Sequence, residues 1–448
     1  MSNMNFIHLQ EFKESTRHSK IEKAALPKKA IFALSQHTGA PSDPVVNIGD
    51  VVKTGSLIAR SKGFISSNLH SSISGRVVAV ENSPHPIIGV FTAIVIESDG
   101  QDIKAFSEPG RDISNISKED IANIVKEAGI VGLGGAAFPT SVKLNPPAGK
   151  KIDTLIINGA ECEPFLTCDY RLMLEKPKEI ILGARLIAKA LGVKDVIIGI
   201  EDNKLDAIEA LGSALFRMPL DYARDRKGEG CKVKAVKLRT RYPQGGEKQL
   251  IKTLLNREVP SGGLPLDIGC VVNNVQTVFS VYEAVYFGKP LYERVITVSG
   301  SFLKKPKNLL TRIGTPIKEL LESCGMDARQ DIYKIIMGGP MTGVAQYNLE
   351  APVIKGTSGI LVLGKGFSAP SQELDCIRCS RCIEACPVGM MPCLLGVAAR
   401  KNRFDIASTY NPFDCIECGA CGYVCPSNIE LVQLIKLTKA KLKLHSLH

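Results

Sequence analysis

Cys376-Ile377-Arg378-Cys379-Ser380-Arg381-Cys382-Ile383-Glu384-Ala385-Cys386-Pro387 is answered, in the same spacing, by Cys415-Ile416-Glu417-Cys418-Gly419-Ala420-Cys421-Gly422-Tyr423-Val424-Cys425-Pro426. Each run reads C-x2-C-x2-C-x3-C-P. The short steps let a loop wrap an iron–sulfur cubane with three thiolates, while the fourth cysteine, held apart beside a proline, reaches the other cluster. The spacing predicts two [4Fe–4S] clusters, one on Cys376, Cys379, Cys382 and Cys425, the other on Cys415, Cys418, Cys421 and Cys386. A structural zinc site is the alternative, but it needs only four ligands and no duplicated run. The C-terminal part is therefore expected to be a ferredoxin-like helical domain that moves electrons singly, and the motif alone names neither donor nor acceptor.

Around these motifs, the chain has 448 residues, too many for one hydrophobic core. Hydrophobic and charged fractions of 44% and 23% are those of a folded domain protein and exclude a disordered class. No apolar run approaches the ~18 residues of a spanning helix. The opening MSNMNFIHLQEFKEST carries charges where a signal peptide places its apolar stretch, so a cytoplasmic protein is expected. Nine of the 14 cysteines fall between Cys376 and Cys425. The others (Cys162, Cys168, Cys231, Cys270, Cys324) and Cys393 are expected as buried, inert thiols. A net charge of +11 suits an acidic partner or an anionic membrane face. Nucleic acid is not expected, since no basic stripe interleaves with aromatics and Trp is absent.

Four textures divide the chain at 1–115, 116–290, 291–366 and 367–448. In the first, DPVVNIGDVVKTGSLIAR, GRVVAVENSPHP and GVFTAIVIESDG alternate apolar residues with turn signals, an all-β pattern. It resembles the half-barrels of biotinyl and lipoyl carrier domains, a barrel-sandwich hybrid. Where those carry a modifiable lysine, this chain has Ser66-Ser67-Asn68-Leu69-His70, so a structural or docking module is expected. In the second, Ser117 to Asp120 reads as a capping box before Ile121, Ile124, Val125 and Ala128 at helical spacing. TLIING and DVIIGIE flank the helical EIILGARLIAKALG, which predicts a β-α-β unit and a parallel sheet. In the third, VITVSG, TPIKELLESCG and YKIIMGGP predict a small α+β unit. The fourth ends in the basic LVQLIKLTKAKLKLH, expected to be a helix packed on its own domain. The fold class is thus multidomain α/β and α+β.

Gly132-Leu133-Gly134-Gly135-Ala136-Ala137 matches a dinucleotide fingerprint, with Asp153 where a ribose-binding acid would sit. It is expected to be a decoy, because it follows a helix where the fingerprint follows a strand. With Phe138, Pro139, Thr140 and Lys143 it resembles instead the flavin loop of the NADH-oxidising subunit of respiratory complex I. Asn158-Gly159-Ala160-Glu161-Cys162-Glu163-Pro164, Tyr242-Pro243-Gln244-Gly245-Gly246-Glu247 and Val272-Asn273-Asn274-Val275-Gln276-Thr277 resemble three further motifs of that subunit, in the same order. The resemblance implies an α/β domain binding FMN and NAD(H). Gly132, Gly134 and Gly135 would approach the flavin, with Asn158, Glu161, Tyr242 and Thr277 in the same motifs. Gly245 and Gly246, opening a helix, and the amides of Asn273 and Asn274 would meet a phosphate. Lys143 would stabilise negative charge on reduced flavin. Glu163 and Glu247 would hydrogen-bond the nicotinamide nucleotide, and Phe138 would stack on one of its rings. Two departures stand out: Ala137 ends the loop's second glycine pair, and Gly246 replaces an acidic residue.

The order of a carrier-like β module, a flavin domain, a small α+β unit and a double ferredoxin motif resembles the family of C subunits of Rnf (Rsx) complexes, over nearly the whole chain. The resemblance implies that the third unit is a soluble-ligand-binding β-grasp domain. It implies NADH:ferredoxin electron transfer by a peripheral subunit on the cytoplasmic membrane face, with ion movement coupled by other subunits. Its implied partners are those subunits, an iron–sulfur subunit among them, and ferredoxin, met directly or through it. The cofactors would be FMN, NAD(H) and the two clusters, with no catalytic protein group. Two other readings are a cobalamin reductase of a microcompartment and a non-catalytic iron–sulfur relay. The former family lacks the N-terminal β module. The latter would hold no flavin.

Overall fold

The computed structural model describes residues 5–106, 110, 112–113, 115–217, 231–327, 329, 331–368 and 372–445. Its centre is a four-stranded parallel sheet, Lys232–Leu238, Asp195–Glu201, Thr154–Asn158 and Cys270–Asn274 in spatial order. The two inner strands are apolar runs buried on both faces, as parallel strands covered by helices must be. The helix Lys118–Glu127 starts where predicted. Ser117 Oγ accepts from Asp120 N at 3.0 Å and Asp120 Oδ2 accepts from Ser117 N at 3.1 Å. Such a cap contributes about 1 kcal/mol. Its buried face, Ile121, Ala122 and Val125, joins the core formed by the helices Pro177–Leu191 and Val275–Phe287. Asn158, Glu201, Asn273 and Asn274 all end their strands on one edge, the edge at which open α/β sheets bind ligands.

The N-terminal β module pairs Lys29–Ala33, Gly89–Ser98, Gly75–His85 and Val51–Val52 against a second sheet of Asp43–Pro44, Leu57–Arg60 and Leu69–His70. Phe32, Ile58, Leu69, Ile73, Ile94 and Ile96 fill its core. The third unit is a mixed six-stranded sheet built on Glu293–Gly300, Lys307–Arg312, Ile332–Met337 and Gly359–Gly364. Its edge strand is Ile21–Lys23, parallel to Lys307–Arg312, so the chain passes along this sheet before entering the β module.

The C-terminal unit consists of short helices and cysteine loops. Its last helix, Leu431–His445, buries Leu431, Ile435 and Thr438 and packs on the helix Pro392–Arg400, the packing that its periodicity predicts. Among the described residues no helix is long and apolar enough to cross a membrane.

Candidate functional site

The glycine loop joins the helix Lys118–Glu127 to the helix Thr140–Leu144 and follows no strand. Asp153 is paired with Arg257 at 2.8 Å, away from any ribose role. The loop is pinned from several sides. Gly132 N donates to Phe138 O at 2.9 Å, and Leu133 N to Thr277 Oγ1 at 2.9 Å. Arg294 Nη2 donates to Leu133 O at 3.0 Å. Gly134, Gly135 and Ala136 remain exposed. A side chain at Gly134 would put its Cβ 2.7 Å from Asn274 Nδ2, so only bare backbone fits there.

The residues singled out in the four motifs do two kinds of work. Five build the scaffold. Asn158 donates to Gly245 O at 2.8 Å and accepts from Ala160 N at 3.1 Å, tying two motifs together. The Glu161 carboxylate accepts from Asp169 N and Tyr170 N at 2.7 and 3.2 Å, capping the helix Cys168–Glu175. Asn274 caps its own helix through Gln276 N at 2.8 Å and donates to Asp169 Oδ2 at 2.6 Å. Thr277 holds Leu133. Tyr242 donates to Cys418 O at 2.6 Å, in the second cysteine motif. Burial pushes the acids of Glu161 and Asp169 up, and for Glu161 the neighbouring Asp169 charge adds to it.

A second group faces the edge of the sheet. Lys143 Nζ reaches Glu247 Oε1 at 3.0 Å and Val272 O at 2.8 Å. Gly246 begins the helix Glu247–Leu255 without any side-chain cap, leaving its first N–H groups for a ligand. Gly245 lies against Cys162, whose Sγ accepts from Gly245 N at 3.3 Å. Phe138 is half-buried. Asn273 is buried, yet among the described residues its Nδ2 has no hydrogen-bond partner. An orphaned buried donor costs about 1–3 kcal/mol, so this amide is suited to a bound acceptor. An uncapped helix start, a lysine, an unpartnered amide and exposed glycine backbone together fit a flat, phosphate-bearing cofactor such as FMN.

Glu163 engages the third unit. Its carboxylate accepts from Met341 N at 3.0 Å and Thr342 Oγ1 at 2.5 Å, both in the loop after Ile332–Met337. Burial pushes its acid up. Neither this pairing nor the part played by Arg294 has a local sequence signature, because their partners lie over a hundred positions away in the chain.

In the cysteine domain the two loops share one backbone. Arg378 and Glu417 occupy equivalent left-handed positions (φ 56° each), as do Ser380 and Gly419 (φ 64° and 81°). Cys386, Cys415, Cys418 and Cys421 form one electrostatic group: the thiols of Cys415, Cys418 and Cys421 are raised, each in part by Cys386. Burial is the leading cause, taking Cys418 to about 11 and Cys421 to about 12. Met390 N donates to Cys386 Sγ at 3.3 Å and Glu417 N to Cys415 Sγ at 3.4 Å, the kind of bond that tunes a cluster. Cys382 and Cys425 share an apolar cluster with Ile429 and Leu431, while Cys376 and Cys379 lie on an exposed stretch. Cys393 is not fully buried: it is half-buried, a free thiol hydrogen-bonded to Cys382, in the first turn of the helix Pro392–Arg400. Of the scattered cysteines, Cys168, Cys270 and Cys324 are buried, whereas Cys162 and Cys231 are half-buried.

The two halves of the site meet at Tyr242. It forms one apolar cluster with Ala385, Cys418 and Ala420, against which Cys162 and Met341 pack. A Cβ on Gly419 would fall 2.8 Å from Met341 O. The second cysteine motif thus sits directly on the α/β domain.

A flavin-type α/β domain carrying a dicluster cysteine domain defines a flavin and iron–sulfur electron-transfer protein. Family models match accordingly: the RnfC barrel sandwich hybrid domain over residues 4–101, the Nuo51 FMN-binding domain over 125–283, the SLBB domain over 295–345 and the 4Fe-4S dicluster domain over 375–429. The chain is 47% identical, over 97% of its length and 93% of the relative's, to the C subunit of the proton-translocating ferredoxin:NAD(+) oxidoreductase complex of Clostridium ljungdahlii. It is 41% identical, over 97% of its length and 96% of the relative's, to the Na(+)-translocating counterpart of Acetobacterium woodii. The chain belongs to the family of C subunits of ion-translocating ferredoxin:NAD(+) oxidoreductase (Rnf) complexes. An NAD+-reducing [NiFe]-hydrogenase chain shares the fold, with a TM-score of 0.53 at 20% identity over 73% of this chain and 61% of that one. The expected multidomain α/β and α+β class, with its four kinds of unit, is borne out.

Proposed function

We propose that this chain exchanges electrons between NAD(H) and FMN at the glycine loop and relays them singly through two [4Fe–4S] clusters, as a subunit of an ion-translocating ferredoxin:NAD+ oxidoreductase complex. The observation that carries this is Tyr242. It belongs to the same motif as Gly245 and Gly246, and its hydroxyl is bonded to the backbone of Cys418. When bound, FMN supplies hydride exchange and one-electron release, and each cubane carries one electron at a time.

The protein's own groups bind and orient. Lys143 keeps a positive charge beside the loop, steadied by Glu247. The bare start of Glu247–Leu255 and the amide of Asn273 receive the phosphate. Asn158, Asn274 and Thr277 hold the two glycine segments at fixed separation, and Glu161 caps the helix beneath them. Glu163, tied to Met341 and Thr342, couples this edge to the β-grasp unit. The Cys386, Cys415, Cys418 and Cys421 set, against Tyr242, would hold the cluster on the flavin side. The exposed Cys376 and Cys379 loop, flanked by Leu374 and Ile377 (55% and 68% exposed), is the outlet to an iron–sulfur subunit or to ferredoxin. The subunit works peripherally, on the cytoplasmic face of the membrane.

The test is an anaerobic NADH titration of the cluster-reconstituted chain supplied with FMN, followed by visible absorption. Bleaching of the flavin bands and then of the broad iron–sulfur band is expected. Bleaching by dithionite but not by NADH would sink the NADH reading and leave a relay fed by another subunit.

A further inference from the structure

The hairpin Ser66–His70 of the N-terminal module, where carrier domains present a modifiable lysine, is not free to swing. Ser67 and Asn68 are 4% and 2% exposed, turned onto the residue that begins the glycine loop. That residue, Gly129, has φ +64°, and a Cβ there would lie 2.3 Å from Asn68 O and 3.0 Å from Lys355 Nζ. Any side chain would therefore break the junction. Lys355 comes from the β-grasp unit and is 1% exposed. Its ammonium donates to Asn68 O at 2.6 Å, Gly129 O at 2.7 Å and Ser67 Oγ at 3.1 Å. Ser67 Oγ itself donates to Gly129 O at 3.0 Å, and Ser67 N donates to His37 Nε2 at 3.1 Å.

The same module grips the other end of the loop. Thr38, next to His37, donates through Oγ1 to Ala136 O at 2.5 Å and through its N–H to Ala137 O at 3.3 Å. Ala137 stands at φ +52°, a left-handed conformation costly for alanine unless neighbours hold it. A Cβ added at Gly356 would stand 3.6 Å from that of Ala137. Both ends of the exposed Gly134–Ala136 stretch are thus fastened to elements outside the α/β domain. A loop set before its ligand arrives does not draw on binding energy to become ordered.

We propose that the N-terminal module is a rigid brace that presets the flavin loop, with Thr38 as a positioning residue and Lys355 as the keystone joining the module, the loop and the β-grasp unit. This rests on the FMN reading of the loop. It gives the carrier-like module a fixed role in which its hairpin is buried structure and carries no cofactor.

The test uses the full chain with both clusters reconstituted. Thr38→Val removes the hydroxyl donor at nearly constant shape, and Thr38→Ser restores it. Flavin fluorescence gives the FMN dissociation constant, spectropotentiometry gives the flavin midpoint potential, and iron content reports on the clusters. Thr38→Val should weaken FMN binding about fivefold, the effect of one lost hydrogen bond, and shift the flavin potential at unchanged iron content. Thr38→Ser should return both to the parent values. Lys355→Met, which loosens the other end, should act in the same direction. Parent-like FMN affinity and potential in Thr38→Val would overturn the brace while leaving the flavin site standing. A parent chain that bound no FMN would overturn the flavin reading and the brace with it.

Discussion

The cysteine end and the glycine loop solve the same problem, holding a redox group, in opposite ways. The cysteine motifs carry their donors within a dozen positions each, and the backbone repeats from one to the other down to its left-handed residues. The glycine loop carries almost none of its own support. It depends on Thr277 and Arg294, and on Thr38, Ser67 and Lys355 from other units. A site with local ligands is legible from spacing. A site with borrowed support is legible only as glycines that have lost their side chains to something unseen.

The contrast breaks most readily at Cys386, the one ligand of its group that comes from the other motif. Cys386→Ala should abolish the cluster of Cys415, Cys418 and Cys421 and lower iron content by about half, with the other cluster intact. Iron analysis with EPR of the reduced protein checks this, and loss of the other cluster alone would refute the crossed ligand scheme. The next effect belongs to the loop. Lys143→Ala should slow NADH oxidation about 10²-fold, typical of losing one positioned charge, with iron unchanged. Stopped-flow flavin reduction at the parent rate would remove Lys143 from the site.

How much could be read in advance follows the same division. The parallel sheet, the capping box at Ser117 and the packed final helix were all visible as periodicity and caps, which are short-range signals. The cluster motifs were visible for the same reason. What was hidden is the partner each side chain takes, and most of those partners are long-range. Glu161 is expected among the cofactor-binding residues of its motif, yet its carboxylate caps the helix seven residues on. Tyr242 reads as part of a flavin motif, yet its hydroxyl is spent on Cys418, 176 positions away. Glu163 is spent on a loop 178 positions away. No local pattern records which of two possible partners a side chain chooses when both lie at the same edge of a sheet.

The cysteine end has one borrowed element too, and it should show as a smaller effect. Lys439, on the last helix, donates to Cys415 O and to Glu417 Oε1, both at 2.7 Å. A cation beside a cluster favours its reduced, more negative form. Lys439→Met removes that cation and leaves Glu417 paired only with Lys436, at 3.7 Å, and both changes lower the cluster potential. A fall of about 30–60 mV is expected, where 59 mV is tenfold in a one-electron equilibrium. Redox-poised EPR should show one cluster shifting and the other staying put. Equal shifts in both would mean the effect is general electrostatics and not the contact.

The smallest expected effect tests whether the loop's support is electrostatically costly. Burial pulls Lys355 from its ordinary value of 10.5 down to about 7, and among the described residues no carboxylate offsets it. The groups facing it, His37 and His70, are themselves pushed down to about 4 and about 3, so neither titrates near neutrality. Glu127 meets the junction only through Asn68. Because the folded value lies below the unfolded one, the unfolded chain binds the extra proton between about pH 7 and 10.5. Stability from this group therefore rises with pH across that window. In the parent, the thermal transition containing the flavin domain should gain on the order of 5 °C more between about pH 7 and pH 9 than in Lys355→Met. Parallel pH profiles would show that Lys355 stays charged throughout, fully compensated by the three oxygens around it. The junction would then carry no hidden electrostatic cost.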